Sequence, residues 1–166
     1  MDFGPYLLLA SLEGLVQAAV LSLTALGLCL VFGVMRIVNV SHGEFYMLGA
    51  VLAWWVTTLL PVHPALGFIA AILVGPALVG VIAFASERLV LSRVEYNPEA
   101  TIVATIGILY ILQQSALLWF GPDARPVEPP FYFRIQFPWF GYSGYKLAVV
   151  ALTVLVLVCT WYVLSR

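Results

Sequence analysis

Five stretches of this chain, at about 12–34, 41–60, 65–89, 98–120 and 145–164, are long and apolar enough to cross a lipid bilayer as helices. A hydrocarbon core about 30 Å thick takes roughly 20 helical residues to span, and each stretch supplies about that many. Of the 166 residues, 63% are hydrophobic and 9% are charged, and the mean hydropathy is +1.06. A soluble domain carries roughly 25% charged residues, and one this short could not hide so much apolar surface from water. The expected fold is therefore all-α, a polytopic transmembrane helical bundle of about five spans treated as one domain over 1–166. In lipid only helices and closed barrels satisfy every backbone polar group.

The breaks between spans carry their own signals. Pro61 and Pro64 cannot both continue a regular helix and mark a tight turn. Asn97-Pro98-Glu99 reads as a helix entrance, with a capping amide, proline at the first position and an acid in the first turn. The first positive charge is Arg36, after a run already long enough to span, so the start of the chain reads as an uncleaved membrane helix. Arg36, Arg88, Arg93 and Arg166 follow alternate crossings, and the positive-inside rule places those ends in the cytoplasm and the amino terminus outside. Arg125, Arg134 and Lys146 lie on the opposite side of that count.

The segment 121–144 is crowded with Phe131, Tyr132, Phe133, Phe137, Trp139, Phe140 and Tyr142. Such rings favour the headgroup level, so this outer-face loop reads as an interfacial belt or a short helix lying on the membrane. A docking surface for a soluble partner is the other reading. Gly67, Ala71 and Gly75 recur at i, i+4 and i+8, a stripe where a second helix backbone can approach, with Pro76 expected to bend the span. Ala18 and Ser22 are a shorter version of the same pattern. Cys29 and Cys159 read as small buried residues.

Polar residues are few, and so informative. Asn39, Ser41, His42 and Glu44 cluster at one membrane edge. Ser41 and Glu44 have the S-x-x-E spacing of a capping box, which would explain a carboxylate beside an apolar span; a gating or transport-path role is the alternative. Gln113 and Gln114 stand in an apolar run and should face other helices, for hydrogen bonding or to line a path. No charge falls in the middle of a span, which disfavours a proton pump or voltage sensor. There is no H-E-x-x-H or G-x-x-x-x-G-K-[ST] motif and no basic stripe, so a zinc protease, an ATPase and a nucleic-acid binder lack support, and neither a metal nor a cofactor is expected.

The wording around the first turn is distinctive. Val31-Phe32-Gly33-Val34-Met35, then Ile37-Val38-Asn39-Val40-Ser41-His42-Gly43-Glu44 and Tyr46-Met47-Leu48-Gly49-Ala50, together with Glu87-Arg88 and Ala104-Thr105-Ile106-Gly107, resemble the permease subunits of branched-chain amino-acid ABC importers. The resemblance runs from Gly14 to about Gly121; Phe32, Val40 and Ser41 stand where the family usually has Tyr, Phe and Ala. It implies a non-enzymatic channel-forming subunit of a bacterial inner membrane. Its implied partners are a second permease subunit, cytoplasmic ABC ATPases and an outer-face substrate-binding protein. Urea or amide transport, or a non-transporting half-permease scaffold, are the alternatives. The family's permeases are nearly twice this long, so the chain is expected to correspond to an amino-terminal half.

Overall fold

The computed structural model describes all residues except 1, 2, 61, 62, 96, 128, 137 and 166, together with the side chain of Met35. Pro61, Phe137 and Arg166, used in the reading above, therefore lie outside the described residues. Five α-helices follow one another: α1 (Phe3–Met35), α2 (His42–Leu59), α3 (Pro64–Leu89), α4 (Pro98–Phe120) and α5 (Gly144–Ser165). A short 3-10 helix, Leu91–Val94, joins α3 to α4, and strands β1 (Arg134–Gln136) and β2 (Gly141–Ser143) precede α5. The all-α membrane architecture of four to five spans is thus present. α1, α3, α4 and α5 are each long and apolar enough to cross a bilayer. α2 has 18 residues and begins with His42 and Glu44, so it is the shortest and most polar of the five.

α1 starts nearer the amino terminus than the expected Leu12, and its 33 residues make about 50 Å of helix, well beyond the hydrocarbon thickness. Most large apolar side chains on the long helices are exposed, among them Leu73 and Val81 on α3, Val103 and Ile111 on α4, and Leu155 and Val158 on α5. Lipid is the solvent that makes such a surface favourable. Cys29 and Cys159 share this outward position and are free thiols, a correction to their reading as buried residues. At an outward position in a lipid-facing span, burial inside one chain is no requirement for an apolar side chain.

The chain forms two compact units, one of residues 28–130 and one of residues 1–27 with 131–166. In the first, α2 is central. Its Leu48, Leu52 and Val56, four residues apart, form the buried face. Leu48 and Leu52 join Ile37, Leu91, Ile108 and Leu112 in the core. α3 runs antiparallel to α2 and buries Gly67, Ala71 and Gly75. A Cβ at Gly67 would stand 3.7 Å from Thr57 Cγ2, and one at Gly75 would stand 3.8 Å from the Gly49 carbonyl oxygen. Small residues therefore let the two backbones approach. α3 is continuous through Pro76, whose side is exposed. Ala18 and Ser22 do not make a comparable surface. Ser22 Oγ donates to the Ala18 carbonyl 2.7 Å away on its own helix, and among the described side chains of α1 it is Ala19 that is buried.

Both helix entrances in this unit that follow a capping residue and proline are capped by side chains. Asn97 Oδ1 accepts from Glu99 N–H and Ala100 N–H at 3.1 and 3.2 Å, and His63 Nδ1 accepts from Ala65 N–H at 3.4 Å. At the end of α1, Arg36 takes a left-handed conformation with φ 55 and donates its N–H to the Phe32 carbonyl at 2.8 Å. That reversal drops Ile37 into the core, where it is 3% exposed.

In the second unit the aromatic segment is a β-hairpin, not the short helix allowed above. β1 and β2 pair antiparallel, with Ile135 opposite Tyr142, and Tyr142 is the buried member of that pair. The hairpin is fastened to α5 without a linker. Gly144 N–H donates to the Phe133 carbonyl at 2.7 Å, and a Cβ at Gly144 would stand 2.7 Å from Phe133 Cδ1 and 3.0 Å from that carbonyl oxygen. Only glycine fits. Gly144→Ala is expected to destabilise this unit by about 1–3 kcal/mol, because the second of those atoms is backbone and cannot step aside. A thermal or SDS unfolding curve of the detergent-purified variant checks this, and an unchanged midpoint contradicts it.

Lys146, in the first turn of α5, pairs with Glu13 of α1 at 2.6 Å, and its ammonium lies 5.7 Å from the centre of the Tyr142 ring. The buried Tyr142 hydroxyl has no well-formed hydrogen bond. Burial, and then the neighbouring Glu13 carboxylate, push its pKa above the ordinary 10.0, with Lys146 pulling the other way. In the unfolded chain the phenol ionises first as pH rises. Its stabilising contribution is therefore complete below pH 10 and declines above it. Tyr142→Phe is expected to flatten the alkaline loss of stability measured between about pH 9 and 11.

Candidate functional site

The polar residues singled out in the sequence are concentrated on unit 28–130, and α2 distributes them. His42 and Glu44 are two residues apart, about 200° around a helix. They line different clefts on opposite sides of α2.

The first cleft, about 400 Å³, is lined by Asn39, Ser41 and His42 from the turn into α2 and by Ser86 and Glu87 from the end of α3. The turn is built by Asn39. Its Oδ1 accepts from Ser41 N–H at 3.0 Å and from Ser41 Oγ–H at 2.6 Å, an Asx-type turn. Ser41 is completely buried. The expected capping box is not formed, a correction to the S-x-x-E reading: Ser41 has ψ 2 rather than extended backbone and makes no side-chain cap. Its hydroxyl is committed backwards to Asn39, and Glu44 N–H bonds the Ser41 carbonyl at 3.0 Å instead. Next in the chain, Val40 N–H donates to Thr105 Oγ1 at 3.3 Å, and that hydroxyl donates on to the Ile102 carbonyl at 3.0 Å. One side chain of α4 thereby pins the α1–α2 turn. Thr101, one helical turn earlier, is fully buried, and its hydroxyl has no partner among the described residues. The i, i+4 spacing of Thr101 and Thr105 puts them on the buried face that continues through Ile108 and Leu112.

The second cleft, about 360 Å³, follows the seam between α2 and α4, which run in the same direction. Glu44, Met47 and Val51 supply one wall, and Gln113, Leu117 and Phe120 the other. Both sets have the spacing of one helical face. Asp123 and Arg125 line its far end. Arg125 Nη2 donates to the Phe120 carbonyl at 2.6 Å, and its guanidinium lies 4.8 Å from the centre of the Trp54 ring. Trp54 in turn meets Phe120 edge-on, with centroids 6.3 Å apart. Trp54 and Arg125 were missed as site residues. Their pairing joins positions far apart in the chain, and nothing local signals it.

Gln114 lines neither cleft and is exposed, which corrects the expectation that both glutamines face other helices. Adjacent residues diverge by about 100° on a helix, so Gln113 and Gln114 cannot share one seam. Among the described residues no group of three His, Cys, Asp or Glu could hold a metal ion.

Five successive helices, four of them long and apolar enough to cross a bilayer, define the chain as a polytopic integral membrane protein. Residues 10–166 match the family described as "Branched-chain amino acid transport system / permease component", and the chain belongs to that family. It is accordingly a multi-pass protein of the bacterial inner membrane, in a family of transport subunits rather than enzymes. It is 25% identical over 159 residues to a high-affinity branched-chain amino acid transport system permease protein of Pseudomonas aeruginosa, an alignment covering 92% of this chain and 50% of that protein. The chain thus spans about half the length of the curated relative it matches. No solved structure matches it.

The stretches that carried the family resemblance meet in space. The turn 37–44 touches Thr105 of the Ala104–Gly107 stretch, and Glu87 lines the same cleft as Asn39 and His42.

Proposed function

We propose that this chain forms part of a permease subunit of an ATP-driven importer for branched-chain or related amino acids. On this reading the α2–α4 seam is one wall of the translocation path, and residues 1–166 act as one transmembrane domain. The observation that carries the proposal is the presence of Glu44 and Gln113, from two different spans, on one cleft of otherwise apolar helices. A polar lining on paired spans is expected where a polar solute crosses. Met47, Val51, Ala116 and Leu117 between the polar points offer apolar contact to an aliphatic side chain, which favours a branched-chain amino acid over urea or a short amide. Asn39, Ser41 and His42 act at the first cleft as a joint, holding the turn whose movement would open or close the cytoplasmic end.

A second permease subunit would complete the path. Two cytoplasmic ATPases would drive it, and an outer-face binding protein would deliver the substrate. The amino terminus would lie outside, with Arg36, Arg88 and Arg93 at the cytoplasmic face. Co-expression with the genomic neighbours and purification on this chain tests the assembly. An ATPase pair should be recovered, with hydrolysis rising when the loaded binding protein is added. Recovery without any ATPase contradicts the proposal.

A further inference from the structure

We infer that the β1–β2 hairpin is a membrane-interface anchor, lying in the headgroup layer beside the end of α5 with lipid covering its aromatic edge. Position argues first. β2 ends at Ser143 and α5 begins at Gly144, with no residue between them. The Gly144–Phe133 hydrogen bond and the absence of room for a Cβ fix the hairpin to the first turn of the helix. α5 has 22 residues, about 33 Å of helix, so a hydrocarbon core of about 30 Å takes up nearly its whole length. Gly144 therefore sits at the boundary, and a hairpin held rigidly on it cannot leave the headgroup region. The Glu13–Lys146 ion pair lies at the same level, where charges remain hydrated.

Chemistry argues second. Phe133 and Trp139 are 62% and 66% exposed, although Tyr142 on the inner face is 3% exposed. The hairpin segment thus turns two large rings outward and buries Tyr142. Arg134, exposed beside them, offers a guanidinium to lipid phosphate. Rings with a cation at their side suit the glycerol and phosphate level. Farther along α5, Leu152, Leu155 and Val158 are exposed as well.

The test places the full protein in nanodiscs of phosphatidylcholine and phosphatidylglycerol, with or without lipid brominated near the carboxyl end of its acyl chains. Emission of Trp139→Phe is subtracted from that of the unmodified protein to isolate Trp139. Trp161, an exposed residue of α5, isolated through Trp161→Phe, is the standard for a lipid-facing ring. The brominated lipid should reduce the Trp139 emission about twofold, as it does that of Trp161, while aqueous iodide leaves most of it. Quenching by iodide but not by bromolipid would mean a hairpin in water. Quenching by neither, with Trp161 still responding, would mean that protein covers it. Either result overturns the inference. Circular dichroism of Trp139→Phe should match that of the unmodified protein, and Phe133→Leu supplies a second check, lowering the bromolipid effect on Trp139 if the anchor is loosened.

Discussion

Asn39→Ala is expected to lower the unfolding free energy by about 2–4 kcal/mol, because it strips the acceptor from two donors at once. Ser41 N–H and Ser41 Oγ–H both terminate on Asn39 Oδ1, and Ser41 is completely buried, so water cannot replace the lost acceptor. Ser41→Ala should cost only about 1 kcal/mol, since the Ser41 N–H bond to Asn39 survives. A double-mutant cycle follows directly. If the hydroxyl acts through Asn39, the two changes are less than additive. A helix cap through Glu44, by contrast, would leave them independent. SDS titration of the protein in mixed micelles measures both quantities, and an Asn39→Ala loss below that of Ser41→Ala contradicts the geometry.

Gly75→Leu is expected to cost about 3 kcal/mol, since a long side chain must enter where α3 and α2 approach backbone to backbone. The matching change Gly75→Ala should be nearly silent. Its Cβ would meet the Gly49 carbonyl oxygen at 3.8 Å, an ordinary contact distance. The contrast between the two variants, read by the same titration, separates tight helix packing from a general dislike of substitution in the helix. Equal losses for Ala and Leu would mean that side-chain volume at the α2–α3 contact does not set the cost, since both are better helix formers than glycine.

Much of this fold was readable from run lengths alone, because a bilayer imposes a ruler on every span. Asn97-Pro98-Glu99 named its own helix start, and the Gly67, Ala71 and Gly75 spacing placed three small residues on one face. Reading failed where two local acceptors competed. S-x-x-E at Ser41 and Glu44 suggested a capping box, yet the Asn39 amide two residues upstream accepts the Ser41 N–H that the Glu44 carboxylate would have taken. It failed again at the hairpin, where aromatic density announced an interface but not its backbone. That backbone depends on Ile135 meeting Tyr142 and on Gly144 admitting the Phe133 carbonyl. Gln113 and Gln114 looked equivalent as letters, and only the 100° step of a helix separates them. Glu44, Gln113 and Arg125 converge on one cleft from three places in the chain, and no spacing rule joins them.

The central claim is that the α2–α4 seam carries substrate, and uptake of radiolabelled leucine into proteoliposomes holding the assembled importer tests it most directly. Glu44→Gln and Gln113→Leu should each reduce the initial rate by about tenfold, the loss of roughly 1.4 kcal/mol of transition-state stabilisation. Gln114→Leu, a change of the same chemistry on a helix face outside both clefts, should transport at the unmodified rate. If Gln114→Leu fails while Glu44→Gln and Gln113→Leu transport normally, the path runs elsewhere and the seam is only a packing defect between two helices.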